Sequence, residues 1–413
     1  MIDRICRWLL ARFLGRIGEG SLTVLEDGRS RVYGSGPPAA SIAVRSSRMW
    51  RLALTGSRGL AEAYAAGLWD SPDLVALVRL AARNAPRLDR LRARLAPARV
   101  PVQRLRARLR LSTRRRRRRD IAAHYDLGNR LFSRMLDSTM SYSCAVFEHG
   151  GVTLEQAQLA KLEMVCEKLD LGPGDHLLEI GTGWGALAVH AARTRGCRVT
   201  TTTISREQYE HALAMVRHAR LEDRVTVLLE DYRDLTGSYD KLVSIEMIEA
   251  VGWRHTADFL GQCSDLLVAN GAMLLQAITI DDRAYPVEKA SRSFMNTHIF
   301  PGGCLPSLEA IARGVAGRTD LQIVDVEDLT SHYVETLRRW RRRFAGHAGE
   351  LAELGYDERF RRLWTLYLCY CEAGFAERRI LDMQLLLGKP RHRVEGSVEV
   401  AVAPPLGAAA VSS

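Results

Sequence analysis

Between residues 177 and 280, short apolar or β-branched runs alternate with longer stretches in which apolar positions recur every three or four residues. The runs 177–180, 198–203, 225–229, 241–245 and 272–280 are too short for helices and read as strands. Residues 185–193 and 207–220 carry the helical period. Strands alternating with helices predict an α/β fold with a doubly wound sheet, whose ligands sit at the carboxyl ends of the strands.

Upstream the pattern changes. Residues 1–17 set Arg4, Arg7, Arg12 and Arg16 among Ile2, Ile5, Trp8, Leu9 and Phe13. That is a basic amphipathic helix, because arginine interrupts any apolar stretch a signal peptide would need. Val24-Leu25 and Arg31-Val32-Tyr33 predict short strands around an Asp27-Gly28 turn, and Ser71-Pro72-Asp73 predicts a helix with Pro72 in its first turn. Residues 87–110 repeat arginine and leucine at helical spacing, and 114–119 are six consecutive arginines. Beyond Pro390 a valine–glutamate alternation gives way to Pro, Gly, Ala and Ser. These shifts divide the chain into an accessory module with a basic linker (1–119), an α/β domain (120–390) and a flexible tail (391–413).

With 413 residues, 47% of them hydrophobic, the chain suffices for about two domains. A net charge of +11 suits an anionic partner. The arginine run is either a solvated linker or a contact for anionic lipid or nucleic acid. Nucleic acid is not expected, because aromatic stacking platforms are not evident. Eight cysteines without a CxxC pair or zinc spacing predict a reduced, cytoplasmic protein with no metal site. Neither end carries an apolar run long enough to span a bilayer.

The richest candidate chemistry lies in Leu177-Leu178-Glu179-Ile180-Gly181-Thr182-Gly183-Trp184-Gly185, a strand, a glycine turn and a helix start. Such a turn lets a ligand approach the backbone closely. Its GxGxG spacing is not the dinucleotide GxGxxG, and the second strand ends in Thr201-Thr202-Thr203 rather than an acidic residue. Both features favour S-adenosylmethionine over a nicotinamide cofactor. Gly181, Gly183 and Gly185 would then form the turn, Thr203 and Gln208 would reach the ribose, and Asp231-Tyr232-Arg233-Asp234 would flank the adenine, with Tyr232 stacking.

A second set of polar residues lies in apolar surroundings: Tyr142-Ser143-Cys144, Glu246 and Glu249 after the fourth strand, Gln276 within the fifth, and Tyr333. A carboxylate at a strand's carboxyl end is poorly explained by packing, since burying its charge is costly unless it is paired. An activated methyl donor makes covalent catalysis by a thiol unnecessary, so Cys144 is expected to line the pocket or donate a hydrogen bond rather than attack.

Ordered along the chain, HYDLGNRLF (124–132), MLDSTMSYSCAVF (135–147), LLEIGTGWG (177–185), TTISREQ (202–208), EDYRD (230–234), SIEMIEAVG (244–252), IFPGGCLPS (299–307), HYVETLRRW (332–340) and YLCYCEAGF (367–375) resemble the cyclopropane-fatty-acyl-phospholipid synthase family. That family includes the mycolic acid cyclopropane synthases and related fatty-acid methyltransferases. Gly59 to Tyr64 and Gly67 to Asp70 are similar too, less specifically. The resemblance implies a seven-stranded, Rossmann-like S-adenosylmethionine-dependent methyltransferase domain behind a smaller N-terminal domain. It implies methylation of the cis double bond of an unsaturated acyl chain, and a carbocation that closes to a cyclopropane when a bound bicarbonate takes a proton. Cys144, Glu249, Ile278 and Tyr333 would hold the bicarbonate. Tyr142, Ser143, Gly181, Gly183, Thr203, Gln208, Tyr232 and Arg233 would line the cofactor site.

The chain departs from that pattern in two places. Ile248-Glu249-Ala250 stands where the phospholipid synthases commonly carry FEH, and Gln276 stands where many carry a histidine in the bicarbonate shell. Glutamine can bond an anion but not carry its proton. The SIEMIEAVG and LQAIT stretches also resemble members that leave a methylene or methyl branch of the 10-methylene or 10-methyl stearoyl type. The resemblance further implies a homodimer, and the basic, amphipathic N-terminal module with the 114–119 run is expected to bring the protein peripherally to the inner face of an anionic membrane, where unsaturated phospholipid is the substrate.

Overall fold

Asp27 and Gly28 both take positive φ, 50° and 71°, the backbone a two-residue hairpin turn needs. They join β1 (Gly20–Glu26) to β2 (Arg29–Ser35), with Glu26 opposite Arg29. The computed structural model describes residues 2–86, 128–291 and 293–393. The arginine–leucine repeat, the arginine run, residues 124–126 and the tail from 394 lie outside the described residues.

β3 (Ala39–Val44) runs parallel to β1, and β4 (Trp69–Asp70) completes a four-stranded sheet of order β2-β1-β3-β4. Leu22, Val24, Ala40 and Ile42 bury one face of it in a core shared with Met49, Trp50 and Tyr64. The helix expected to open at Pro72 begins at residue 74 instead. Asp73 caps it, its carboxylate accepting the Ala76 N–H at 2.9 Å, and leaves Pro72 outside.

This N-terminal module is fastened to the helix Glu358–Ala376 and the residue that follows it. Arg79 and Arg83 both pair with Glu377, at 2.6 and 2.7 Å. Arg362 reaches back to the Tyr64 carbonyl (2.7 Å) and the Asp70 carboxylate (2.6 Å). Trp69 and Tyr64 share a core with Trp364 and Tyr367, so apolar packing is continuous across the junction.

The larger sheet contains β5 (His176–Ile180), β6 (Arg198–Thr202), β7 (Val225–Leu228), β8 (Tyr239–Ile245), β9 (Leu267–Ile280), β10 (Gln322–Asp328) and β11 (Ile380–Gly388). Their order is β10-β11-β9-β8-β5-β6-β7. The five strands read from the pattern are the parallel ones. β11 enters antiparallel between β9 and β10, which makes this a seven-stranded Rossmann-like methyltransferase sheet. Strand order reverses between β5 and β8, and a crevice opens at such a switch point, outside the carboxyl ends of the strands. The glycine turn follows β5, and Glu246 and Glu249 follow β8, so both candidate sites lie at that reversal.

Candidate active site

Gly181, Gly183 and Gly185 have φ of 106°, 53° and 96°, so the turn after β5 depends on glycine throughout. The N–H groups of Gly181 and Thr182 both donate to the Thr202 carbonyl at 3.0 Å, pinning the turn to the end of β6. A Cβ added at Gly183 would meet nothing within 4 Å, and Gly183 lines a cavity. Gly185 does something else. A Cβ there would come within 3.1 Å of Ala212, so this glycine lets the helix Ala186–Arg195 pack against the helix Arg206–Ala219.

The cavity wall contains the remaining residues expected for a cofactor: Tyr142, Ser143, Gly181, Gly183, Thr203, Gln208, Tyr232 and Arg233. Thr203 donates to the Gln208 side-chain oxygen at 2.9 Å. Asp231 holds the Arg233 guanidinium (Nε at 2.7 Å), and Tyr232 stands edge-on to Phe259 with ring centroids 5.1 Å apart. This cradle of glycine backbone, hydroxyl, amide and aromatic groups fits S-adenosylmethionine. Three further groups on the wall, Lys161, Glu179 and Glu246, were not among the expected cofactor contacts. Lys161 is buried and donates to the Ser143 hydroxyl at 3.1 Å, and its burial lowers its pKa. Glu179 accepts from Thr201 at 2.5 Å, and burial pushes it up to about 8.

Cys144, Gln276 and Tyr333 converge on one carboxylate, that of Glu246. Its Oε1 accepts the Cys144 backbone N–H at 2.8 Å and the Gln276 amide at 2.9 Å, and its Oε2 accepts the Tyr333 hydroxyl at 2.5 Å. Burial pushes Glu246 up to about 7 against these donors and Lys161, which pull it down. The Glu246 backbone is left-handed, with φ of 49°.

The orientation of Gln276 is enforced from behind. Lys168, which can only donate, bonds the Gln384 side-chain oxygen at 2.9 Å. That turns the Gln384 amide to the Gln276 oxygen at 3.0 Å, and so turns the Gln276 NH2 toward Glu246. The same NH2 lies 2.9 Å from Asp382. Asp382 is pushed well above the carboxylate range by burial and then by Glu246 and Glu249.

Glu249 accepts the Ile278 N–H at 2.5 Å, while its other oxygen is buried with no hydrogen-bond partner among the described residues. Burial and the charge of Glu246 push it up to about 8. Ile278 thus contributes its backbone. The Cys144 thiol is fully buried and pushed well up by burial. Burial thus favours the neutral thiol over the thiolate that a nucleophile would need.

Aromatic rings join the cavity wall to this cluster. Tyr333 stacks on Phe375 with centroids 4.3 Å apart, and Trp340 packs against both Tyr333 (6.0 Å) and Tyr142 (5.2 Å). Tyr142 and Tyr367 share a hydrogen bond of 2.6 Å between their hydroxyls. Such a shell excludes water and presents ring faces and carboxyl groups that favour a positive charge. Asp382 and Gln384 escaped the sequence reading because β11 did. Lys161 carries no local signal, since its surroundings come from strands and loops distant in sequence.

Residues 112–385 match the family described as mycolic acid cyclopropane synthetase. The chain is 40% identical to the tuberculostearic acid methyltransferase UfaA1 of Mycobacterium tuberculosis, over 79% of this chain and 77% of that protein. It is 36% identical to the cyclopropane-fatty-acyl-phospholipid synthase of Escherichia coli K12, over 90% of this chain and 92% of that one. Among solved structures it is similar to mycolic acid cyclopropane synthase CmaA1 complexed with SAH and CTAB. The TM-score there is 0.62 with 32% identity, over 66% of this chain and 98% of that one.

Proposed function

The chain belongs to the mycolic acid cyclopropane synthetase family, and on that premise we propose that it is a C-methyltransferase acting on an unsaturated acyl chain of membrane phospholipid. The product would carry a methylene branch at the former double bond. Use of S-adenosylmethionine to modify a fatty-acyl chain follows from the family. The branched product is favoured by the 40% identity to a tuberculostearic acid methyltransferase. The observation that carries the reading is the place of Glu246, which both lines the cofactor cavity and receives the bonds of Cys144, Gln276 and Tyr333.

When bound, S-adenosylmethionine supplies an activated methyl group that the π pair of the alkene takes up, leaving positive charge on the neighbouring chain carbon. The residues around the site decide what that cation becomes. Trp340, Tyr142, Tyr333 and Phe375 keep water from trapping it as an alcohol. The ionised Glu246 carboxylate on the cavity wall stabilises the charge as it forms. A hydride shift to the first cationic carbon followed by loss of a methyl proton gives the methylene branch. Loss of that proton without the shift closes a cyclopropane. A saturated methyl branch needs an external reductant.

Ring and methylene products both add one CH2, so mass alone does not separate them. Vesicles of unsaturated phospholipid incubated with enzyme and methyl-labelled cofactor should give labelled olefinic =CH2 signals by NMR of the extracted acyl esters. An upfield ring methylene would favour the cyclopropane reading instead, which the match to the Escherichia coli synthase over 90% of this chain supports. Absence of label from the acyl chains would overturn both.

No described helix is long and apolar enough to cross a membrane. The helix Ile2–Leu14 nevertheless exposes Ile5, Trp8, Leu9 and Phe13, with Trp8 56% exposed and Arg12 stacked 4.9 Å over its ring. Apolar groups standing free beside arginines suit the interface of an anionic bilayer. We propose that this face attaches the protein peripherally to the inner leaflet. A homodimer would set two such faces on one surface and raise avidity. Replacing Ile5 and Trp8 together by glutamate should cut co-sedimentation with anionic vesicles by about tenfold or more at unchanged circular dichroism. Undiminished binding would sink the assignment of this face.

A further inference from the structure

The family resemblance brings with it a bound bicarbonate as the base, and the residues present do not fit that ion. The groups that would hold it are already engaged within the chain. Cys144 N–H and the Tyr333 hydroxyl end on Glu246, at 2.8 and 2.5 Å, and the Ile278 N–H ends on Glu249 at 2.5 Å. Half-buried Glu246 and Glu249 and fully buried Asp382 already crowd three carboxyl groups into one cluster, with the Gln276 NH2 between Glu246 and Asp382. A further anion there would be repelled by any of them that ionises.

We infer, on the acyl-chain reading above, that the Glu246 side chain is itself the proton acceptor of the reaction, a base built into the chain in place of a bound anion. Of the three clustered carboxyl groups, Glu246 alone lines the cofactor cavity. A carboxylate has about four acceptor directions. Three are filled by Cys144, Gln276 and Tyr333, and the fourth, on Oε2, has no donor among the described residues. The C–H bond of the added methyl group breaks toward that oxygen. Its electron pair forms the new C=C or ring bond, and the proton stays on Glu246 until the product leaves and water takes it up.

The backbone gives an independent reason. At φ of 49° the position suits glycine, yet it carries a glutamate. Three hydrogen bonds to its carboxylate hold Glu246 in that conformation. The Lys168–Gln384–Gln276 chain serves the same end, because it aims an NH2, not a carbonyl, at the carboxylate. Gln276 is therefore a positioning residue. Burial raises Glu246 toward neutrality, where a base is both deprotonated and strong enough to work.

Glu246→Gly tests this directly, since it removes the carboxylate, suits the left-handed backbone and leaves three donors around an empty space. Wild-type turnover on unsaturated phospholipid vesicles should be the same in buffer stripped of carbon dioxide and in buffer with added bicarbonate. Glu246→Gly should lose about 100-fold or more, keep its cofactor affinity by calorimetry, and regain part of its turnover as bicarbonate or formate is added. Glu246→Gln keeps the side-chain shape, so it serves if the glycine variant does not fold. It should bind cofactor but show no turnover at any pH. Four results would overturn the proposal: a wild-type enzyme that stalls without bicarbonate, full activity in either variant, a folded glycine variant that no small carboxylate rescues, or a wild-type rate that does not rise with pH through about 7. A wild-type enzyme that labels no acyl chain at all would instead fail the acyl-chain reading, and the proposal with it.

Discussion

Glu249→Gln should lose turnover by about 100- to 1000-fold while cofactor affinity stays within about threefold. Glu249 lies behind the cavity wall, where one oxygen takes the Ile278 N–H and the other is buried without a partner among the described residues. It is held neutral up to about pH 8 by burial and by the charge of Glu246. When Glu246 accepts a proton that repulsion disappears, so Glu249 becomes easier to ionise and the pocket keeps a negative charge near the acyl chain. Glutamine preserves the bond to Ile278 and abolishes that compensation. Single-turnover kinetics beside calorimetry would read the split, and wild-type turnover would remove Glu249 from the machinery.

The same substitution has a signature in stability. Glu249 is raised in the folded protein from 4.5 to about 8. Between those values the folded state holds a proton that the unfolded chain has lost. Its contribution is therefore full below about 4.5 and declines as pH rises through about 8. Glutamine has no such decline. In thermal melts without cofactor, the variant should gain on the wild type from about pH 5 to about pH 8 and then hold that gain at higher pH. A constant difference would show that Glu249 is not raised.

Trp340→Ala should cost about 3–5 kcal/mol of stability. The indole is fully buried, and its N–H has no hydrogen-bond partner among the described residues, so the loss is one of packing. Turnover should fall further than the unfolded fraction explains, because Trp340 braces both Tyr142 on the cofactor wall and Tyr333 on Glu246. Trp340→Phe should recover much of both. Guanidinium unfolding at constant slope measures the first effect. A loss below about 1 kcal/mol would mean the cavity collapses easily around the missing ring.

The parallel half of the large sheet was readable because β5, β6, β7, β8 and β9 each carry a short apolar or β-branched run, and the hairpin was readable because Asp27-Gly28 has one favoured geometry. The glycine turn and all but one of the expected cofactor contacts lie on the cavity. The exception, Gly185, shares the motif but serves helix packing. At β11 it was the burial of the polar positions that was hidden, for a physical reason. Asp382 and Gln384 alternate with Met383 and Leu385, which resembles a strand with one face in water, yet both polar residues are fully buried against the Gln276 network. The cost of burying Glu246 was visible in the sequence. Its donors were not, because Cys144, Gln276 and Tyr333 lie 102, 30 and 87 residues away.

The arginine clasp at Glu377 and the reach of Arg362 to Tyr64 and Asp70 have a mechanical consequence. They fix the small module to the helix whose Tyr367 holds Tyr142 on the cofactor wall. The module is a strut rather than a leash. On the membrane attachment proposed above, these contacts would carry the reacting pocket at a set height and tilt over the lipid.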